Sequence, residues 1–353
     1  MAGPAVGRPR LMVAAIVAAV SALALAVAGC GGTATSPTAP PTTAAARPSP
    51  SPSPRPPQPA VDPLRGTLTP AGATAHPSLA AKIDNHFDAR PQIGLNAADI
   101  VFEELVEGGL TRYLVVWHSV VPAEIGPVRS VRPMDPDLVT PFGGMIAYSG
   151  GQQVFVDMMQ AAPVVNLVFD FDDTGLFHRA DERPSPHDVI LDAAEAMRRN
   201  AALPPPPPQF AYGTADPLDA PQFAATPTAR IDLAFSEGGA RAWEWDAATS
   251  AWLRSQEGAP DLEASGERVR ATNVVTLRVA IDDTYGEVPR TVAVGTGEAW
   301  LSSHGRTAHG TWSKAAADRP FTLRADDGTP IRLAPGSTWV ELVPASGSAA
   351  FAP

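Results

Sequence analysis

Ile100-Val101-Phe102-Glu103-Glu104-Leu105-Val106-Glu107-Gly108-Gly109-Leu110-Thr111-Arg112-Tyr113-Leu114-Val115-Val116-Trp117-His118 decides the fold class. Two β-branched and aromatic runs flank a Gly-Gly pair, the pattern of a β-hairpin. Taken as a two-residue turn, Gly108-Gly109 sets Arg112 opposite Leu105. Its diagonal neighbours on that face are then Glu103 and Glu107. Glu104 falls on the other face, among Ile100, Phe102 and Val106, where a carboxylate is costly unless paired.

Outward from the hairpin, residues 80–83, 145–148 and 164–169 are apolar runs of strand length. Residues 152–160 and 187–200 read as helices, the second with Ser185 as cap and Pro186 at its first position. Residues 63–203 therefore read as a mixed α/β domain. Five prolines, Pro204 to Pro208, follow. They make residues 204–210 a stiff linker, and residues 211–344 read as a β-rich domain of short strands divided by turns such as Asp327-Gly328. The fold class is α+β. Six of the seven tryptophans lie in the second domain. Trp243 and Trp245 share a strand face, with Trp252 near them across a hairpin. They read first as core, and second as an aromatic platform for a sugar ring or a partner.

The start of the chain has its own grammar. Arg8 and Arg10 precede an apolar run from Leu11 to Val27, and Val27-Ala28-Gly29-Cys30 follows. A basic start, an apolar middle and small residues before the cut make residues 1–29 a secretory signal. The tetrapeptide looks like a lipobox, with Val27 where Leu is more usual, so Cys30 is the expected site of acylation. Acyl chains contribute ~0.8 kcal/mol per buried methylene, enough for two or three to hold a protein on a membrane. Residues 30–62, rich in Pro, Ser, Thr and Ala, read as an extended tether. The expected location is the outer face of the cytoplasmic membrane.

Cys30 is the only cysteine, so disulfides within the chain and Cys-based catalysis are excluded. The formal charge is −11. An acidic chain is repelled by nucleic acid and by anionic lipid, which excludes nucleic-acid partners and leaves the attachment to the lipid. Lysine occurs only at 82 and 314. A cationic site here is thus built of guanidinium forks.

Several motifs together resemble the YerB-type lipoprotein family, DUF3048. They are Lys82-Ile83-Asp84-Asn85, Ala89-Arg90-Pro91-Gln92, Glu103-Glu104-Leu105-Val106-Glu107-Gly108-Gly109, Thr111-Arg112, Gly126-Pro127-Val128-Arg129-Ser130-Val131-Arg132 and Ser185-Pro186-His187. Gly310-Thr311-Trp312-Ser313-Lys314 and Gly336-Ser337-Thr338-Trp339 extend the likeness into the second domain. Phe102 stands where Tyr is common, and the segment from Gly258 to Asp261 lacks an expected His. The resemblance implies an anchored, two-domain envelope protein and supplies no activity.

Two readings of the charged motifs stay open. One is an internal ion-pair network that fixes the hairpin. The other is a polar site of Asp84, Asn85, Arg90, Glu103, Glu107, Arg112, Arg129 and Arg132, suited to an anionic cell-envelope ligand. Arg129 and Arg132 need a turn or loop to reach one ligand, because a strand would send them to opposite faces. An envelope hydrolase would use Glu103, Glu107 or His187. A structural adaptor recruiting a protein partner is a third possibility. No cofactor is implied. Asp84, His86 and Asp88 share one side of an extended segment, but no second His or Cys set supports a metal. Val168-Phe169-Asp170-Phe171-Asp172-Asp173-Thr174 resembles the first motif of haloacid-dehalogenase-type phosphatases. Its late position, and a downstream Lys only at 314 in the β-rich domain, favour a turn instead.

Overall fold

The computed structural model describes residues 59–353. The signal, Cys30 and most of the tether lie outside the described residues. Among those residues no helix is long and apolar enough to cross a membrane.

The body is built on one 11-stranded sheet. Its first segment contributes β1 (Leu79–Asp84), β2 (Ile100–Leu105), β3 (Thr111–Trp117), β4 (Met145–Tyr148) and β5 (Val165–Val168). A smaller sheet comprises β6 (Arg230–Ala234), β7 (Ala240–Asp246) and β8 (Ala251–Gln256) with later partners. The large sheet then takes β9 (Asn273–Val279), β10 (Gly295–Ser303), β11 (Arg306–Lys314) and β12 (Thr338–Pro344), and β13 (Ser348–Ala352) closes the smaller one. The path through the large sheet runs from Thr226–Pro227 through β11, β10, β9, β12, β2, β3, β1 and β4 to β5. Parallel pairing of β12 with β2 joins the two segments that the prolines delimit. The prolines do not space two bodies apart. Pro206 is buried, and Gln209 donates to the Pro141 carbonyl at 3.0 Å.

Alternation along β2 explains the two cores. Ile100 and Phe102 point into a cluster with Leu114, Leu138 and Phe155, under α1 (Asp135–Val139) and α2 (Gln153–Gln160). Val101 points the other way, with Tyr113, Ile231, Trp243 and Trp252, where the smaller sheet packs. Each side of the large sheet is thus covered, which accounts for its nearly continuous apolar strands. Trp243 and Trp252 are fully buried and Trp245 is partly buried against the same core, so these three pack as core and not as an open platform.

Three expectations need correction. The first segment is richer in strand than a mixed α/β domain. The helix expected over 187–200 is only α3 (Ala193–Arg199), because Val189–Asp192 pairs as a strand and Asp192 is the cap, accepting from Glu195 N–H. The third is the hairpin register. Gly108 and Gly109 both take positive φ, 69° and 72°, as a tight turn requires. However, Val106 N–H, not Glu107 N–H, reaches the Leu110 carbonyl, at 2.8 Å. One extra residue is absorbed before the turn, and Arg112 faces Glu104 instead of Leu105. A one-residue shift moves every side chain to the opposite face.

Candidate functional site

The shift separates the two glutamates. Glu103 faces the smaller sheet and is fully buried. It accepts from Thr111 Oγ1 at 2.7 Å and Arg241 Nε at 3.0 Å, and it pairs with Arg254. Burial alone would raise its pKa. The Arg254 and Arg241 charges outweigh burial and hold it at about 2. Asn85 is buried on the same side, donating to Thr111 and to Gln256 Oε1 at 2.9 Å. Arg90 donates to the Asn85 carbonyl and reaches Glu257 at 3.2 Å. Glu103, Asn85 and Arg90 thus belong to a seam between the two sheets, and Glu103 is not a catalytic candidate. Glu107, by contrast, pairs with Arg132 and lies outside that seam.

Glu104 meets the requirement that it be paired. It lies buried beside Lys82, whose ammonium also reaches Asp135 Oδ1 at 2.8 Å. Asp135 Oδ2 accepts from Arg132 N–H at 2.6 Å. This chain of charges anchors α1 and the 126–132 segment to the sheet.

Above it lies a cavity of about 200 Å³ lined by Asp84, His86, Val106, Glu107, Leu110, Thr111, Arg112, Arg129, Arg132 and His187. Asp84 ends β1, directly across from Arg112 on β3. The irregular 126–132 segment runs along the end of β1: Asp84 N–H donates to the Pro127 carbonyl, and Arg129 N–H to the Lys82 carbonyl. Lacking strand alternation, it can send both Arg129 and Arg132 into the cavity. Val128 N–H donates to the Val189 carbonyl at 2.7 Å, which draws in His187 two residues earlier.

Asp84 is the hub. Its Oδ1 accepts from His86 N–H at 3.0 Å, and its Oδ2 lies 2.7 Å from His187 Nδ1 and 3.1 Å from Arg129 Nε. Burial pushes its carboxyl up, but the His187 bond, the His86 N–H and the Arg112 and Arg129 charges bring it below the usual range. Glu107 pairs with Arg132 Nε at 2.7 Å. Burial opposes its ionisation, and Arg132 and Arg112 overcome that, so its carboxyl also sits low. Arg112 donates to the Ser130 carbonyl at 2.8 Å. Burial, then repulsion from Arg132 and Arg129 against the pull of Asp84 and Glu107, takes its guanidinium down to about 10. Arg129 Nε is buried, and among the described residues its only carboxylate neighbour, Asp84, is not in hydrogen-bond geometry.

The structure therefore brings together Asp84, Glu107, Arg112, Arg129, Arg132 and His187. It adds His86, whose spacing from Asp84 and Asp88 was the available signal. His86, Asp88 and His187 offer ligand atoms within 4.8 Å of one another, so His187 supplies the second histidine that the local cluster lacked. The two rings are stacked, with centroids 4.4 Å apart and planes 7° apart. Stacked rings aim their in-plane lone pairs side by side, whereas a metal needs lone pairs converging at ~2.0–2.1 Å. The arrangement is a stacked imidazole pair rather than a cage. The Asp172 carboxylate accepts from Thr174 N–H and its hydroxyl, so that aspartate cluster caps a turn.

Comparison with known proteins accords with this architecture. Residues 65–203 match "Protein of unknown function (DUF3048) N-terminal domain", and residues 231–340 match the corresponding C-terminal domain. The chain is 29% identical over 294 residues to "Putative lipoprotein YerB" of Bacillus subtilis (strain 168), covering 80% of this chain and 86% of that protein. The crystal structure of the YerB protein from Bacillus subtilis superposes with a TM-score of 0.70 at 24% identity, covering 82% of this chain and 99% of the other. The chain belongs to the YerB-type DUF3048 family.

Proposed function

We propose that this protein is a lipid-anchored extracytoplasmic protein that binds an anionic cell-envelope ligand in the cavity at the end of β1. The lipobox at Cys30 and the lipoprotein name of the Bacillus subtilis relative support the anchoring. One observation carries the ligand class. Three guanidiniums and two imidazoles line one cavity, in a chain of net charge −11, with only Asp84 and Glu107 to balance them. At about 200 Å³ the cavity is smaller than the ~300–1,000 Å³ of sites that enclose a whole small molecule. It fits an anionic head group whose remainder stays outside.

The test is calorimetric titration of the full-length protein in detergent with inorganic phosphate. Arg129→Ala removes a charge-assisted contact that contributes ~1.5–3 kcal/mol. Affinity should fall about 10–100-fold. Unchanged affinity, or no binding by either protein, refutes the assignment.

A further inference from the structure

We propose that the cavity is a phosphoryl-transfer centre in which His187 Nε2 attacks the phosphorus of a phosphate monoester. This rests on the anion-binding reading above and names its substrate class and chemistry.

The first support is the polarity of His187. Its Nδ1 lies 2.7 Å from Asp84 Oδ2, a carboxylate also held by His86 N–H and close to Arg129. A neutral ring donating from Nδ1 keeps its lone pair on Nε2. That atom makes no hydrogen bond within the described residues, and the ring lines the cavity. A histidine whose far nitrogen is fixed by a carboxylate has the tautomer and orientation a nucleophile needs.

The second support is the distribution of positive charge. Arg112 and Arg132 each spend part of their fork on the protein, on the Ser130 carbonyl and on Glu107 with the Val131 carbonyl respectively. Arg129 Nε lies 3.1 Å from Asp84 Oδ2 without the geometry of a hydrogen bond. The remaining N–H groups face the same space, and forks of this kind match the equatorial oxygens of a phosphoryl group.

In the first step the His187 Nε2 lone pair forms an N–P bond. The ester P–O bond breaks, its electron pair leaves on oxygen, and that oxygen takes a proton from a solvent water, leaving hydroxide. Water then attacks phosphorus and gives a proton to that hydroxide. The P–N pair returns to His187, releasing inorganic phosphate. Exposed Phe87 and Leu110 beside the cavity would meet the alcohol part of the substrate. That part can belong to a small aryl ester or to a lipid.

The experiment uses the full-length protein in detergent with p-nitrophenyl phosphate, and in parallel with vesicles containing phosphatidate. Hydrolysis is followed as phosphate release. Alkaline-quenched protein is digested and searched for a phosphoryl group on the His187 peptide. Turnover of either probe with label on His187 is expected, and the preferred probe distinguishes small from lipid esters. His187→Asn keeps an N–H for Asp84. It should lose both turnover and label. If inorganic phosphate binds in an Arg129-dependent way but neither probe is hydrolysed and no label forms, the transfer chemistry is overturned and anion binding stands. If inorganic phosphate does not bind at all, both readings fall.

Discussion

Glu103→Gln tests the ion-pair seam between the sheets, and the structure supplies the size of the effect. Glu103 and Glu341 are register partners on the adjacent parallel strands β2 and β12, and both are fully buried. Two carboxylates in contact cannot both ionise. Glu103 keeps the charge because Arg254 and Arg241 flank it. Burial, then the Glu103 charge, raises the Glu341 pKa well above the usual range, so Glu341 carries the proton and accepts from Trp243 Nε1 at 2.7 Å. Removing one partner of a buried pair costs ~3–5 kcal/mol. In Glu103→Gln, Glu341 loses its repelling neighbour and can ionise against Arg254. The expected cost is therefore at the low end, ~3 kcal/mol. That is a melting temperature lower by about 6–10 °C for a body of this size. Glu341→Gln replaces a group that is already neutral and should cost under ~1 kcal/mol. The double variant has no carboxylate left to substitute, and should lose ~2 kcal/mol more than the sum of the singles. Thermal and urea unfolding of all four proteins measure this cycle. Equal costs for the two singles, or an additive double, would refute the division of charge.

Acid should unfold the protein through the same groups. Glu103 is held at about 2 against an ordinary value of 4.5, and Asp84 and Glu107 also sit low. The unfolded chain binds more protons in that range, so their contribution is complete above about pH 5 and is lost as pH falls toward about 2. Glu341 has the opposite sign, and the double variant, with neither Glu103 nor Glu341 left to titrate, should flatten the acid limb of the stability curve. Gly144 has φ +65°, and a Cβ there would overlap the Ser78 carbonyl oxygen. Gly144→Ala should cost about 3 kcal/mol or more, against ~1–2 kcal/mol for Gly286→Ala, whose φ is +67° with open space around it. Cys30→Ser should move the protein from the membrane fraction to the soluble one and remove the acyl mass. Unchanged retention would sink the lipid anchor.

Much of the fold could be read locally. Apolar runs identified β1, β4 and β5 and most strands of the second segment, and α2 lay within a residue of its expected span. β11 was not anticipated, because Arg306–Lys314 carries Gly310, His309 and Ala308 where a strand usually shows branched residues. Its place comes from pairing with β10 on one side and Thr322–Ala325 on the other. The α3 boundary was misread because Ser185-Pro186 imitates a helix start, while the branched run behind it pairs with Phe177–Arg179 as a strand.

The candidate site divides along the same line. Residue chemistry alone pointed to a guanidinium-rich, anion-directed surface, and to Glu104 needing a partner. Sequence also determined where apolar periodicity makes strand or helix, because that signal lives within a few neighbouring residues. Which charges meet was decided by tertiary structure. His187 reaches Asp84 across 103 positions, and Arg241 reaches Glu103 across 138. Those meetings turn on the hairpin register, set by whether Val106 or Glu107 bonds to Leu110. That choice depends on which side of the sheet can neutralise each buried carboxylate. Lys82 is available on one side and two arginines from the smaller sheet on the other. No local pattern around the turn contains that information.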